Sequence, residues 1–192
     1  LLDKVAEKSP KLVEELVPDK MSLSIITKVL QNLLAEGISV RDMRSVIDVL
    51  SSEAGKSSEP DQLTALVRPR LGRFIMQNLI SVDEALPVMT LEPKLEQIIT
   101  NVLQQSERSG SLIIDPKLAE SLFKALKEES HSVEQKGLPA VLVISPALRP
   151  WLSRSARQRI PGLTVLSYTE IPEDQDITVV ATIDTQEQEN EE

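Results

Sequence analysis

Few residues in this chain are of a type that does chemistry. In "VLVISPALRPWLSR", residues 141 to 154, an apolar run stops at Ser145, and a serine at the end of a buried strand is one way to hold a nucleophile. It needs a base to take its proton. The chain's single histidine, His131, lies in "KEESHSVEQKG", at the polar end of an expected helix. No Gly-x-Ser-x-Gly turn surrounds Ser145, and Pro146 follows it directly. The local fit favours a helix cap, with Ser145 at the N-cap and Pro146 at the first helical position, where a missing N–H costs nothing. The rival reading is an α/β hydrolase-like enzyme using Ser145. The same helix start offers free N–H groups to an anion, but no glycine lets a phosphate reach the backbone there. Arg149, Arg154, Arg157 and Arg159 would then form a basic stripe on the helix that follows, either a solvated face or a contact for an acidic partner.

Composition narrows the remaining chemistry. The chain has 192 residues, 41% of them hydrophobic, enough for one domain or two small ones with a real core. With one Trp, one Tyr and two Phe, that core is aliphatic and offers little on which a base could stack. A formal charge of −9 repels polyphosphate, so no nucleic-acid partner is expected. The absence of cysteine and the lone histidine exclude disulfides, thiolate catalysis and Cys/His metal clusters. No catalytic residue, metal or cofactor is expected. No apolar stretch approaches the roughly 20 residues of a membrane span. The chain opens "LLDKVAEK" without an initiator Met and reads as a fragment, with any membrane part upstream of Leu1.

The elements that must position these residues change character along the chain. Ser9 and Pro10 open a helix with Leu12, Val13, Leu16 and Val17 on one face, which Pro18 stops. Leu23, Ile26, Leu30 and Leu33 then recur at helical spacing, and Gly37 stands where a left-handed residue would end that helix. Ser39 and Asp42 read as a capping box opening a helix with Val40, Met43, Ile47 and Leu50 inward. After the loop 51–60, Leu63, Leu66, Val67, Leu71 and Phe74 form another buried side, which Pro69 should kink or split. "LLAEGISVRDM" has the outline of a helix-turn-helix, but the next helix balances arginines against aspartates, which suits a protein platform better than DNA.

From Ala85 short apolar runs alternate with helices. "LPVMTL", "AVLVIS", "LTVLSY" and "DITVVATI" read as strands. Helices are expected over 94–105, carrying Leu95, Ile98, Ile99, Val102 and Leu103, from Asp115 and Pro116 with Leu118, Leu122 and Leu126 inward, and over 147–159. The helix between the second and third strands makes those two parallel. The expected fold is thus a mixed one: an all-helical subdomain over 1–82, a small α/β subdomain with a mixed sheet over 83–184, and an acidic tail over 185–192 too polar to pack.

Several stretches together resemble one family. "LVEELVPDKMSLSIITKVLQNLLAEGISVRDMRSVIDVL", "DQLTALVRPRLGR", "VMTLEPKLEQII", "VISPALRPWLSR" and "LTVLSYTEIPEDQDITVVATI" are similar, in this order, to the C-terminal cytoplasmic region of the export-gate membrane proteins of type III secretion systems, the FlhA family. "LVEELVP" and "KVLQNLL" look more flagellar than injectisome-like, and an injectisome homologue is the alternative. The resemblance implies a non-enzymatic docking module on the cytoplasmic side of the bacterial inner membrane. Its implied partners are export chaperones with their substrates, other export-apparatus proteins and, in the full-length protein, eight further copies in a nine-membered ring. Membrane contact would come only through a missing N-terminal region. Aligned on "LVP" and "SLS", Leu16, Met21 and Ser24 fall on positions lining the family's chaperone-binding dimple, Ser24 where many flagellar members have threonine. Leu16 and Met21 are equally apolar positions that a helix junction would bury, and Ser24 equally a helix cap. Arg41 and Asp42 match the family's "RD" pair in the ring-forming subdomain, against a local reading as surface charge and capping acceptor. Pro69 departs from the family's pattern.

Overall fold

The computed structural model describes residues 21–81, 83–109 and 114–185. Its Cα packing forms two units: one comprises the described residues up to Asn78 together with Glu170–Pro172, the other Leu79–Thr169 and the residues from Glu173 on. The helix expected after Ser9 and Pro10, and with it Leu16, lies outside the described residues, as does the tail beyond 185.

The first unit is helical. Helix α1 spans Leu23–Ala35, α2 Met43–Glu53 and α3 Pro60–Val67; a 3₁₀ turn over Arg68–Leu71 then leads into α4, Gly72–Gln77. Helix α1 starts at Ser22, whose Oγ accepts from the Ile25 N–H. It ends in a Schellman motif: Gly37, at φ 72°, donates to Leu34 O, and Ile38 donates back to Leu33 O. The buried stripe is Ile26, Val29 and Leu33, with Leu30 half-buried and Leu23 exposed, so the expected apolar face is rotated by part of a turn. Helix α2 begins three residues later than a cap at Ser39 would place it. Asp42 is the N-cap, its Oδ1 accepting from Ser45 N at 3.2 Å, while Ser39 Oγ accepts only from Arg41 N. Pro69 splits the third helix as its chemistry requires, since it supplies no N–H to an α-helical ladder. The buried stripe is narrower than the spacing suggests: Leu63, Val67 and Leu71 are buried, but Leu66, before the split, and Phe74, after it, are exposed. Fully enclosed Ile26, Leu33, Ile47, Leu50, Leu63 and Leu71 each contribute roughly 1.5–3 kcal/mol of transfer free energy.

The second unit is a four-stranded sheet with helices. Strand β1 spans Leu86–Leu91, helix α5 Pro93–Ser109, α6 Pro116–Gln135, β2 Val141–Ile144, α7 Arg149–Ala156, β3 Thr164–Ser167, and β4 Ile177–Ile183, with a 3₁₀ turn at Tyr168–Glu170. The strand order is β3-β2-β1-β4 and every pairing is parallel. The expected mixed sheet is therefore corrected to a parallel one. The link from β3 to β4 does not make a hairpin but carries the chain to the far side of β1, where β4 pairs Leu86 with Ile177 and Leu91 with Ile183. Strands β1 and β2 accordingly read as nearly unbroken apolar runs. The core joins Met89 and Leu91 of β1, Leu142 and Ile144 of β2, and Val165 of β3 to Leu95 and Ile99 of α5, Leu122 and Leu126 of α6, and Leu152 of α7. Ile98, expected inside, is exposed. Asp115 caps α6 as expected, accepting from Lys117 N at 2.7 Å, with Pro116 in the first turn.

Candidate functional site

Met21 and Ser24 bracket the start of α1. Met21 is buried. Ser24 is exposed, and its Oγ lies 2.9 Å from that of Ser22. The helix cap is Ser22, so Ser24 is a hydroxyl on the first turn rather than the cap, and it is open to a partner. Leu23, Leu30 and Leu34 are separated by seven and four residues, which places them within about 40° of one another around the helix. Leu23 and Leu34 are 53% and 54% exposed. Thr27 lies in the same stripe, its hydroxyl turned back to Leu23 O. Helix α1 thus presents an apolar strip along its length, with Ser24 beside its N-terminal end. Such a surface binds by burying area; it holds no group that moves a proton.

Arg41 and Asp42 belong to a second helix start. Arg41 is exposed and Asp42 half-buried, with one carboxylate oxygen engaged in capping α2. Among the described residues, no hydrogen bond or ion pair joins them to Met21 or Ser24.

The most deeply set charges escaped the sequence reading. Arg68, 2% exposed, donates from Nε and Nη2 to Glu170 Oε2 at 2.9 and 2.6 Å, and from Nη1 to Glu36 Oε2 at 2.7 Å. Glu36 is the C-cap of α1, and Glu170 belongs to the three-residue piece that joins the helical unit from far along the chain. Gly72, one turn after Arg68, packs directly on the Glu170 carbonyl; a Cβ there would collide with that oxygen. The available signal was an arginine one helical turn after Thr64, just past the end of α3.

Ser145 is not the helix cap. Leu148 is the N-cap of α7 and Pro150 occupies its first turn. Ser145 instead lends its carbonyl to the Leu148 and Arg149 N–H groups, and its own N–H donates to Glu96 Oε1 at 2.6 Å. Its Oγ is shielded from solvent and has no hydrogen-bond partner among the described residues. His131 is exposed, with Nε2 2.9 Å from Gln135 Nε2. The basic stripe is broken up: Arg149 is buried, and the Arg159 guanidinium lies 4.4 Å over the Phe123 ring, which in turn packs near Trp151. Among the described residues, no group of His, Asp and Glu is placed to hold a metal ion, and no helix is long and apolar enough to cross a membrane.

Comparison with known proteins agrees with the resemblance read from the motifs. The sequence profile of the FHIPEP family matches residues 1–176. The flagellar biosynthesis protein FlhA of Salmonella typhimurium is 41% identical over 95% of the chain, and that of Bacillus subtilis 29% identical over 96%. The chain spans only about a quarter of these relatives, 26% and 27% of their length. Among solved structures, Chlamydia pneumoniae CdsV superposes with a TM-score of 0.83 at 26% identity, covering 95% of this chain and 52% of that one. The nonameric EscV cytosolic domain from the type III secretion system superposes at 0.78 with 25% identity, covering 95% and 54%.

Proposed function

The chain belongs to the FHIPEP family, and from that membership we propose that it is the cytoplasmic docking module of a bacterial flagellar type III protein-export gate, receiving chaperone–substrate complexes for export. The observation that carries this reading is the 41% identity to a flagellar FlhA across nearly the whole chain. The apolar strip of Leu23, Leu30 and Leu34 beside Ser24 supports it, because a partner helix or loop gains affinity by covering such a strip. Leu16, Met21 and Ser24 line the docking surface on this reading, and Arg41 and Asp42 face a neighbouring copy in a ring. A nine-membered ring in the full-length protein, and a place on the cytoplasmic side of the inner membrane, draw support from the nonameric EscV cytosolic domain. The module works by recognition and hand-over and catalyses no reaction. The rival hydrolase reading lacks what it requires, since the Ser145 hydroxyl is hydrogen-bonded to no base.

The test uses the complete cytoplasmic region that contains this segment. Titration calorimetry with flagellar chaperone–substrate complexes is expected to show saturable binding, weakened by Ser24→Arg at an exposed position. No heat of binding from any flagellar complex sinks the proposal. Restored motility in a flagellated host lacking its own export-gate protein, with the corresponding segment replaced by this one, separates the flagellar reading from an injectisome one.

A further inference from the structure

We propose that Asn32 is a positioning residue: its side-chain amide fixes the rotation of α1 about its own axis and so holds Leu23 and Leu34 outside the core. The apolar side of α1 is wider than the surface it covers. It runs from Ile25, through the buried Val29, Leu33 and Ile26, to Leu34, about half of the helix circumference. Burial alone would centre the contact on that arc and cover both of its margins alike. The covered arc, from Asn32 to Leu30, is instead displaced from the apolar one by roughly 30°. Ile25 and Asn32, at one margin, are half-buried, whereas Leu23 and Leu34, at the other, are 53% and 54% exposed. A polar side chain has taken a place that a leucine could fill.

Hydrogen bonds account for the exchange. Asn32 Nδ2 donates to Asp61 Oδ1 at 2.9 Å and to Thr64 Oγ1 at 3.2 Å, both on α3. Thr64 is buried, and its hydroxyl donates to Pro60 O at 2.6 Å. With its one proton committed there, the Thr64 oxygen can only accept from Asn32, so the chain of bonds runs in one direction. Turning α1 until Leu23 and Leu34 enter would carry Asn32 away from α3 and strip that buried oxygen of its donor. Apolar contact is non-directional and tolerates either rotation, whereas the amide fits only one. The consequence is that the strip of Leu23, Leu30 and Leu34 stays uncovered. That use of the lock rests on the docking role proposed above; the lock itself rests on the contacts within this chain.

The chain has no cysteine, so a single introduced thiol reports on a single position. Leu34→Cys and Ile25→Cys, each in the whole chain, put a reporter at the two margins of α1, and maleimide labelling of the folded protein gives the rates. Adding Asn32→Ala to the Leu34→Cys chain is expected to slow labelling by about three- to tenfold as the thiol turns inward, which is what losing one net hydrogen bond does to a balanced equilibrium. In the Ile25→Cys chain the same change is expected to speed labelling. Asn32→Asp keeps the shape, removes the donors and sets a carboxylate against that of Asp61; it is expected to move both rates in the same directions. A helix that merely loosens does not slow labelling at either margin. An unchanged or faster rate at position 34 in either Asn32 variant overturns the proposal, as does a rate at position 25 that fails to rise. Because labelling needs no chaperone, that result leaves the docking role standing, and failure of chaperone binding leaves the lock standing.

Discussion

Replacing Arg68 with Met keeps most of the side-chain volume and removes the guanidinium that pairs with both Glu36 and Glu170. The side chains of Arg68 and Glu170 are each 2% exposed and that of Glu36 14%, so solvent cannot take over the lost partner without opening the fold. Breaking a buried pair in this way typically costs about 3–5 kcal/mol, and here two carboxylates lose a shared ion pair at once. Against a domain stability of about 5–15 kcal/mol, that is about a fifth of the total or more. With a urea dependence of about 1–2 kcal/mol per molar, the midpoint of the helical unit should fall by roughly 1.5–5 M. Far-ultraviolet circular dichroism follows the helices, and fluorescence of the single tryptophan, Trp151, follows the α/β unit. The shift should be larger in the first signal than in the second. Arg68→Met combined with Glu36→Gln and Glu170→Gln removes the uncompensated charges and should recover most of the loss, ending within about 2 kcal/mol of the parent. A single variant within about 1 kcal/mol of the parent, or a triple variant no better than the single, refutes the reasoning.

The remaining expectations concern caps and strand ends. Asp42→Ala should cost about 1 kcal/mol, because it leaves the first turn of α2 without its acceptor, while Ser39→Ala should stay within about 0.5 kcal/mol; thermal melts of the two variants decide between Asp42 and Ser39 as the cap. Ser145→Ala removes a shielded hydroxyl that has no partner and should be neutral or slightly stabilising, whereas loss of a true N-cap would destabilise by about 1 kcal/mol. Glu96→Ala takes the acceptor from the Ser145 N–H and should cost about 1–3 kcal/mol, read from Trp151 fluorescence in urea.

Much of the architecture was legible along the chain because it rests on local rules. The change from helical spacing to short apolar runs near Ala85, the left-handed Gly37, the Asp115–Pro116 start and the break at Pro69 each follow from one residue's own backbone chemistry or from a periodicity within a single element. Errors gathered where two local solutions compete. Ser39 and Asp42 both suit an N-cap, as do Ser22 and Ser24, and the folded backbone selects Asp42 and Ser22. In the same way, Leu23, Leu66, Phe74 and Ile98 sit at spacings that suit a buried face, but each is exposed, since spacing alone does not fix how wide a stripe the fold covers.

By itself the sequence determined the family, the order of the described helices and strands, and an aliphatic core, since these depend on composition, periodicity and motifs read in order. The tertiary structure alone decided the direction of β4, because pairing on the far side of β1 is a choice of neighbour and not of conformation. It alone assigned Glu96 to the end of β2, left the Ser145 hydroxyl without a partner, and brought Glu36, Arg68 and Glu170 together. Arg68 and Glu170 are 102 positions apart. Their pairing is set by burial: once the fold takes the guanidinium out of water, a carboxylate must follow it, and which one does depends on where the chain passes.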